Sequence, residues 1–202
     1  RKPFKVCFVD CDNTLWKGVV GEVGNARIVA NELLMRRLKL AKAAGVMLVG
    51  CSKNAIGDVQ DAFEFHKSTW PLTYDDFVLH KINWNAKSKN IKEAFQELNL
   101  STFSDSFFID DNPIEIAEVM SNCPGISCFH IPDADCAPPL LSHYVYSIYA
   151  LDVFKQTKED GNKTEMLLAE QKRKQILTSG ITFAEYMDQL DVKCQFHYCE
   201  TN

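Results

Sequence analysis

The sequence predicts an α/β fold built on a mostly parallel sheet. Two observations predict it. Short apolar runs alternate with amphipathic helical patterns through the first two-thirds of the chain, as βαβ units do. Two of those runs end in paired aspartates, Asp10 with Asp12 and Asp110 with Asp111. In a parallel sheet the carboxyl ends of the strands lie together, and ligands gather there.

The elements follow in order. Residues 4–9 (FKVCFV) read as a strand and 31–45 (NELLMRRLKLAKAAG) as a helix closed by Gly45. Residues 46–51 form the next buried strand, 55–66 a helix, 76–80 a short strand and 87–99 a helix. Residues 106–110 are a strand, 113–123 a helix and 126–130 a further strand. The Pro-rich stretch 131–139 interrupts this rhythm. A largely helical portion follows, over 140–154 and 164–177, with a last strand at 192–199. The organisation expected is a core over 1–136 and a C-terminal helical and strand segment over 137–202 packed on it, one domain in all.

Composition narrows the function. A chain of 202 residues with 46% hydrophobic and 24% charged residues suits one globular domain. A net charge of -5 speaks against a nucleic-acid partner, whose phosphates favour a basic patch. No apolar segment approaches the ~20 residues of a membrane helix, and no signal-peptide pattern opens the chain. The eight cysteines are scattered, form no CxxC and make no zinc-type pairing with the histidines, so reduced thiols and a cytoplasmic location are expected.

The acidic strand ends carry the chemistry. If the two strands are neighbours, three or four carboxylates meet at one point and repel. A Mg²⁺ relieves this, because it takes hard oxygen ligands and completes its shell with water and phosphate. The plainer alternative is that these acids cap helices and turns. Asn112 followed by Pro113 does read as a helix start. Ser52 ends the second strand, where a hydroxyl and a helix N-terminus suit a phosphate. Lys87 opens a helix and could neutralise charge on a transferred phosphoryl group.

The order acid pair, hydroxyl, lysine, acid pair resembles the signature of the haloacid dehalogenase (HAD) superfamily. Asp10-Cys11-Asp12-Asn13-Thr14 is similar to its first motif, Ser52 to its second, Lys87 to its third and Asp110-Asp111 to its fourth. The resemblance implies a Rossmann-like fold and an aspartyl-phosphate mechanism. Asp10 would be the nucleophile and Asp12 the general acid and base, with Thr14 and Ser52 near the phosphate. Mg²⁺ would be held by Asp10, the Asp12 carbonyl and Asp110, with Asp111 assisting.

The series DCDNTLWKGVVGEVG, CSKN, W-x-x-K-S-x-N-I, FIDDNP and TKED resembles the FkbH-like branch over residues 4–192. That branch implies transfer of a three-carbon acyl group from 1,3-bisphosphoglycerate, dephosphorylated, to the phosphopantetheine thiol of an acyl carrier protein, as in polyketide pathways. It also implies a place within a larger multidomain synthase. The sequence departs from the branch at Val23, Ile116, Lys163 and Leu167, which bears on substrate choice.

Thr14 to Ser52 is about 38 positions and Ser52 to Lys87 about 35, little more than a crossover helix with its loops, so no cap domain is expected. The Gly-rich segment 15–24 bearing Trp16 is expected to be a mobile flap. Acyl transfer through the protein needs a nucleophilic thiol, and Cys51 beside Ser52 and Lys53 is the candidate, although strand alternation turns it from the Ser52 face. Lys53 and Asn54 are candidate substrate contacts, with a helix cap the equal reading of Asn54. The alternative activity is a plain capless Mg²⁺ phosphatase of a small phosphoester or phosphoprotein.

Overall fold

The computed structural model describes residues 4–132 and 138–152. Strand β1 (Val6–Val9) is followed by a hairpin of β2 (Trp16–Lys17) and β3 (Val29–Ala30) that encloses the short α1 (Val20–Val23). Helix α2 (Glu32–Ala43), β4 (Met47–Ser52), α3 (Ile56–Phe65), β5 (Phe77–Ile82), α4 (Lys87–Glu97), β6 (Ser106–Asp110), α5 (Pro113–Asn122), β7 (Ser127–His130) and α6 (Pro138–Ser147) complete the order. The expected helix at 164–177 and strand at 192–199 lie outside the described residues.

Five strands form one sheet in the order β5-β4-β1-β6-β7, every pair parallel. The chain winds from β1 outward to β4 and β5, then returns to the other side of β1 for β6 and β7. The reversal falls between β1 and β6, where a crevice opens beyond the carboxyl ends of the two strands. Val9 pairs with Ile109, and the Asp10 amide donates to the Ile109 carbonyl at 3.0 Å, so the two acidic strand ends are adjacent.

Both faces of the sheet are covered, as its continuous apolar strands require. Cys7, Val9, Leu48, Phe107 and Ile109 pack with Leu34 and Leu38 of α2, Val59 and Phe63 of α3 and Val145 of α6. On the other face Phe95 of α4 stacks on Phe8 at 5.9 Å between ring centroids. Helix α2 starts with the Asn31 side chain accepting from Leu34 N and is followed by Gly45 at a φ of 95°, the left-handed turn that glycine adopts without strain.

Two sequence expectations change. The strand expected from Asp76 begins at Phe77, because the Asp76 carboxylate turns back to accept from the Thr73 amide and closes a capping box. The segment after Thr14, expected to be a flap bearing Trp16, is anchored by that residue. Trp16 is fully buried, stacks on Trp70 at 5.3 Å and meets the edge of Phe63 at 5.7 Å. Between Thr14 and Lys87 the described residues contain no cap domain, only the β2–β3 hairpin, α1, α2, β4, α3 and β5 with their loops.

Candidate active site

A cavity of about 180 Å³ opens at the carboxyl end of the sheet, lined by Asp10, Asp12, Asn13, Ser52, Lys53, Lys87, Asp110, Asp111, Asn112 and Glu115. β1 delivers Asp10, β4 delivers Ser52 and β6 delivers Asp110, while α4 and α5 present their N-termini there with Lys87 and Asn112.

Lys87 is the central cation. It is 3% exposed, and its Nζ lies 2.8 Å from Asp10 Oδ1 and hydrogen-bonds Asp110 Oδ2. Burial works against its charge, but Asp10 and Asp110 more than offset this and hold its pKa above the usual lysine value. The ammonium also sits 5.7 Å from the Phe108 ring centroid. Asp110 is fully buried and accepts from the Asn112 amide at 2.8 Å. Burial, then repulsion from Asp10, push its carboxyl up to about 7 despite the pull of Lys87. Asp111 is shifted upward by the same two causes.

One carboxylate oxygen each from Asp10, Asp110 and Asp111 come within 4.8 Å of one another. Three converging acids with one lysine leave surplus negative charge, and the donor set is all hard oxygen, which is what a small divalent cation prefers. The Asp12 carboxylate stands outside this group. Its Oδ1 accepts from the Trp16 indole at 2.8 Å and the Val20 amide at 3.1 Å, and its Oδ2 accepts from Asn54 Nδ2 at 2.7 Å. Burial raises its pKa, against these three donors.

Three candidates from the sequence are placed differently. Thr14, expected near the phosphate, is 1% exposed and donates to Asp111 Oδ1 at 3.2 Å, so it orients an acid of the cluster instead of facing the cavity. Asn54, expected to touch substrate or cap a helix, is not a helix cap and does not line the cavity. Helix α3 is capped at Ala55 without a side-chain bond, and Asn54 is buried against Asp12.

Cys51, the expected thiol nucleophile, is fully buried and not part of the cavity wall; its Sγ faces the Lys87 carbonyl at 3.9 Å. Burial raises its pKa far above the ordinary thiol value, the opposite of an activated cysteine. The physical reason is the pleat of β4: Ser52 lines the cavity, so Cys51 points elsewhere.

Lys53 does line the cavity, and its Nζ pairs with Glu115 Oε1 at 2.6 Å. Sequence reasoning missed Glu115, which lies in the first turn of α5 and resembles an ordinary surface residue there. It also assigned nothing to Asn13. That residue adopts a φ of 56°, in the left-handed region that asparagine tolerates, and its Oδ1 accepts from the Gly18 amide at 2.9 Å. The Asp-Asn-Thr turn was the available signal. No signal marked the Trp16 indole as a partner of Asp12, because a tryptophan in a Gly-rich segment reads as part of a mobile flap.

Comparison with solved structures settles the architecture. The N-terminal part of a Bacteroides fragilis protein, containing a phosphatase domain and complexed with Mg, superposes with a TM-score of 0.64 and 29% identity, covering 77% of this chain and 42% of that one. A candidate HAD-like phosphatase from Mesorhizobium loti gives a TM-score of 0.52 at 14% identity, covering 77% and 91%. The fold is the haloacid dehalogenase fold. This chain spans less than half of the Bacteroides structure. No protein-family model matches the chain, and no curated protein does. Within the haloacid dehalogenase fold the cavity described above occupies the crevice beyond the carboxyl ends of β1 and β6. No described helix is long and apolar enough to cross a membrane.

Proposed function

We propose that the chain is a Mg²⁺-dependent phosphatase working through Asp10. The carrying observation is the placement of Asp10 at the end of the central strand, 2.8 Å from Lys87 and within one cluster with Asp110 and Asp111. The Mg-bound phosphatase domain of the Bacteroides fragilis protein supports the reading.

The three carboxylates fit a hard divalent ion, and Asp10, Asp110 and Asp111 would hold it, with the Asp12 carbonyl. Bound there, Mg²⁺ supplies neutralisation of the phosphoryl oxygens and of the acids themselves. The chain's own residues do the rest. Asp10 attacks phosphorus, and the ester P–O bond breaks toward the leaving oxygen. Asp12 delivers a proton to that oxygen. Its Oδ1 is filled by two donors, so the proton is carried on Oδ2, beside Asn54. Asp12 then takes a proton from water as that water attacks the phosphoaspartate, and the P–O bond to Asp10 breaks to release phosphate. A raised pKa suits a group that must give and then take a proton. Lys87 holds Asp10 in place and offsets charge on the phosphoryl group.

A finer reading has its own support in the FkbH-like motif series. The chain would load a three-carbon acyl unit from 1,3-bisphosphoglycerate onto the phosphopantetheinyl thiol of an acyl carrier protein, within a larger synthase. Trp84, 73% exposed just before α4, and Ile114, 75% exposed beside Glu115, suit a protein partner. With Cys51 buried, the carrier thiol itself is the acceptor: it attacks the acyl carbonyl, and the C–O bond to phosphate breaks.

The test is a phosphoester panel with and without Mg²⁺, on the native protein and Asp10→Asn, followed by intact masses of protein and carrier with 1,3-bisphosphoglycerate generated in situ. Mg²⁺-dependent phosphate release, lost in Asp10→Asn, supports the phosphatase. An acyl mass on the carrier supports the finer reading, and a carrier that gains none sinks it.

A further inference from the structure

A cavity that seats a phosphoryl group beside five acids has little room for more negative charge. Its lining contains Asp10, Asp12, Asp110, Asp111 and Glu115 against two cations, Lys53 and Lys87. Lys87 is committed at the floor to Asp10 and Asp110 and is 3% exposed. Lys53 is therefore the cation left for any second anionic group of a ligand.

Its present partner is exchangeable. Lys53 Nζ meets Glu115 Oε1 at 2.6 Å, and its side chain remains 38% exposed, so the pair contributes little net stability. Glu115 is poorly satisfied in that pairing, because its second oxygen is buried with no hydrogen-bond partner. The two residues come from different elements, Lys53 from the turn after β4 and Glu115 from the first turn of α5.

We propose that the Lys53–Glu115 pair sets the specificity of the site: the substrate is a phosphoester carrying a second anionic group, which takes the place of Glu115 on Lys53. Glu115 acts as a resident competitor. A phosphoester without a second anion leaves the pair closed and gains nothing from Lys53. The proposal rests on the phosphatase reading and names its substrate class.

The probes are 3-phosphoglycerate and glycerol 3-phosphate, which share a phosphate on a three-carbon chain and differ by a carboxylate in place of a hydroxymethyl. Calorimetric affinities with Mg²⁺ are measured in an Asp10→Asn background, which blocks turnover, and the readout is the ratio of the two affinities. Glu115→Gln raises the preference for 3-phosphoglycerate roughly fivefold or more by removing the competitor. Lys53→Met abolishes the preference, and Lys53→Arg retains it.

A ratio that is the same in all these proteins, or no preference in any of them, overturns the proposal. So does a parallel loss of both ligands, which marks a structural role. The phosphatase reading fails separately, by absence of Mg²⁺-dependent phosphate release from every phosphoester of the panel, 3-phosphoglycerate and glycerol 3-phosphate included, in the native protein.

Discussion

Asn54 Nδ2 donates to Asp12 Oδ2 at 2.7 Å, and the two residues lie in the loops that follow the adjacent strands β4 and β1. This bond holds the oxygen that carries the catalytic proton in the proposed mechanism. Asn54→Ala should lower kcat/KM about 10- to 100-fold, the range for losing a hydrogen bond to a charged group. Asn54→Asp should be worse, because it faces Asp12 with a like charge. Steady-state hydrolysis of a phosphoester checks both, and an Asn54→Ala enzyme within twofold of native would remove Asn54 from the mechanism.

Lys87 joins two buried acids, so its loss strands both. Lys87→Met should destabilise the protein by about 3 kcal/mol in chelator, the scale for breaking a buried ion pair. Added Mg²⁺ should recover part of that loss, since the cation replaces the missing positive charge among Asp10, Asp110 and Asp111. Urea unfolding with chelator and with Mg²⁺ gives the two numbers. Equal stability of the variant in both conditions would count against a cation site.

Thr14 tests the metal cluster from one layer out. Its hydroxyl donates to Asp111 Oδ1 at 3.2 Å, and Thr14→Val removes that bond at nearly constant volume. Mg²⁺ affinity should fall about tenfold, the low end for outer-shell partners of metal ligands. Calorimetric titration of Mg²⁺ reads it directly. An unchanged affinity places Asp111 outside the ligand set.

His80 makes stability depend on pH. Burial lowers its pKa to about 4, against smaller opposing effects of Tyr74 and Asp75, and its ring stacks on Tyr74 at 3.6 Å. An unfolded histidine titrates near ~6.5, so between those values the unfolded chain binds the extra proton and folding loses stability as pH falls. The contribution is fully present above about pH 6.5 and lost toward pH 4, by no more than about 3 kcal/mol. His80→Gln should flatten this part of the urea-midpoint profile. A variant profile parallel to native would assign the slope to other groups.

Cys51 should be inert in the folded state. Its side chain is fully buried and its thiol is held protonated by burial. Alkylation with iodoacetamide followed by peptide mapping should leave Cys51 unmodified until denaturant is added. Rapid native-state labelling of Cys51 would reopen a covalent role for it.

The sequence by itself determined the α/β class, the strands that carry Asp10, Ser52 and Asp110, and the acid pairs at their ends. These are local properties: apolar runs of strand length, helix starts such as Asn112-Pro113, and the stop at Gly45. Alternation along β4 even foretold that Cys51 and Ser52 part company, although the expected chemistry had favoured Cys51.

Tertiary structure decided which groups meet. The strand order set β6 beside β1, and only that adjacency brings Asp10, Asp110 and Asp111 within 4.8 Å. Burial of Trp16 turned an expected flap into an anchor whose indole holds Asp12. Thr14 and Asn54 were legible as site residues but not in their roles, because a side chain's partner depends on which strand ends converge. Glu115 left no local mark at all: its pairing with Lys53 spans 62 positions of sequence, and no periodicity encodes a contact of that range.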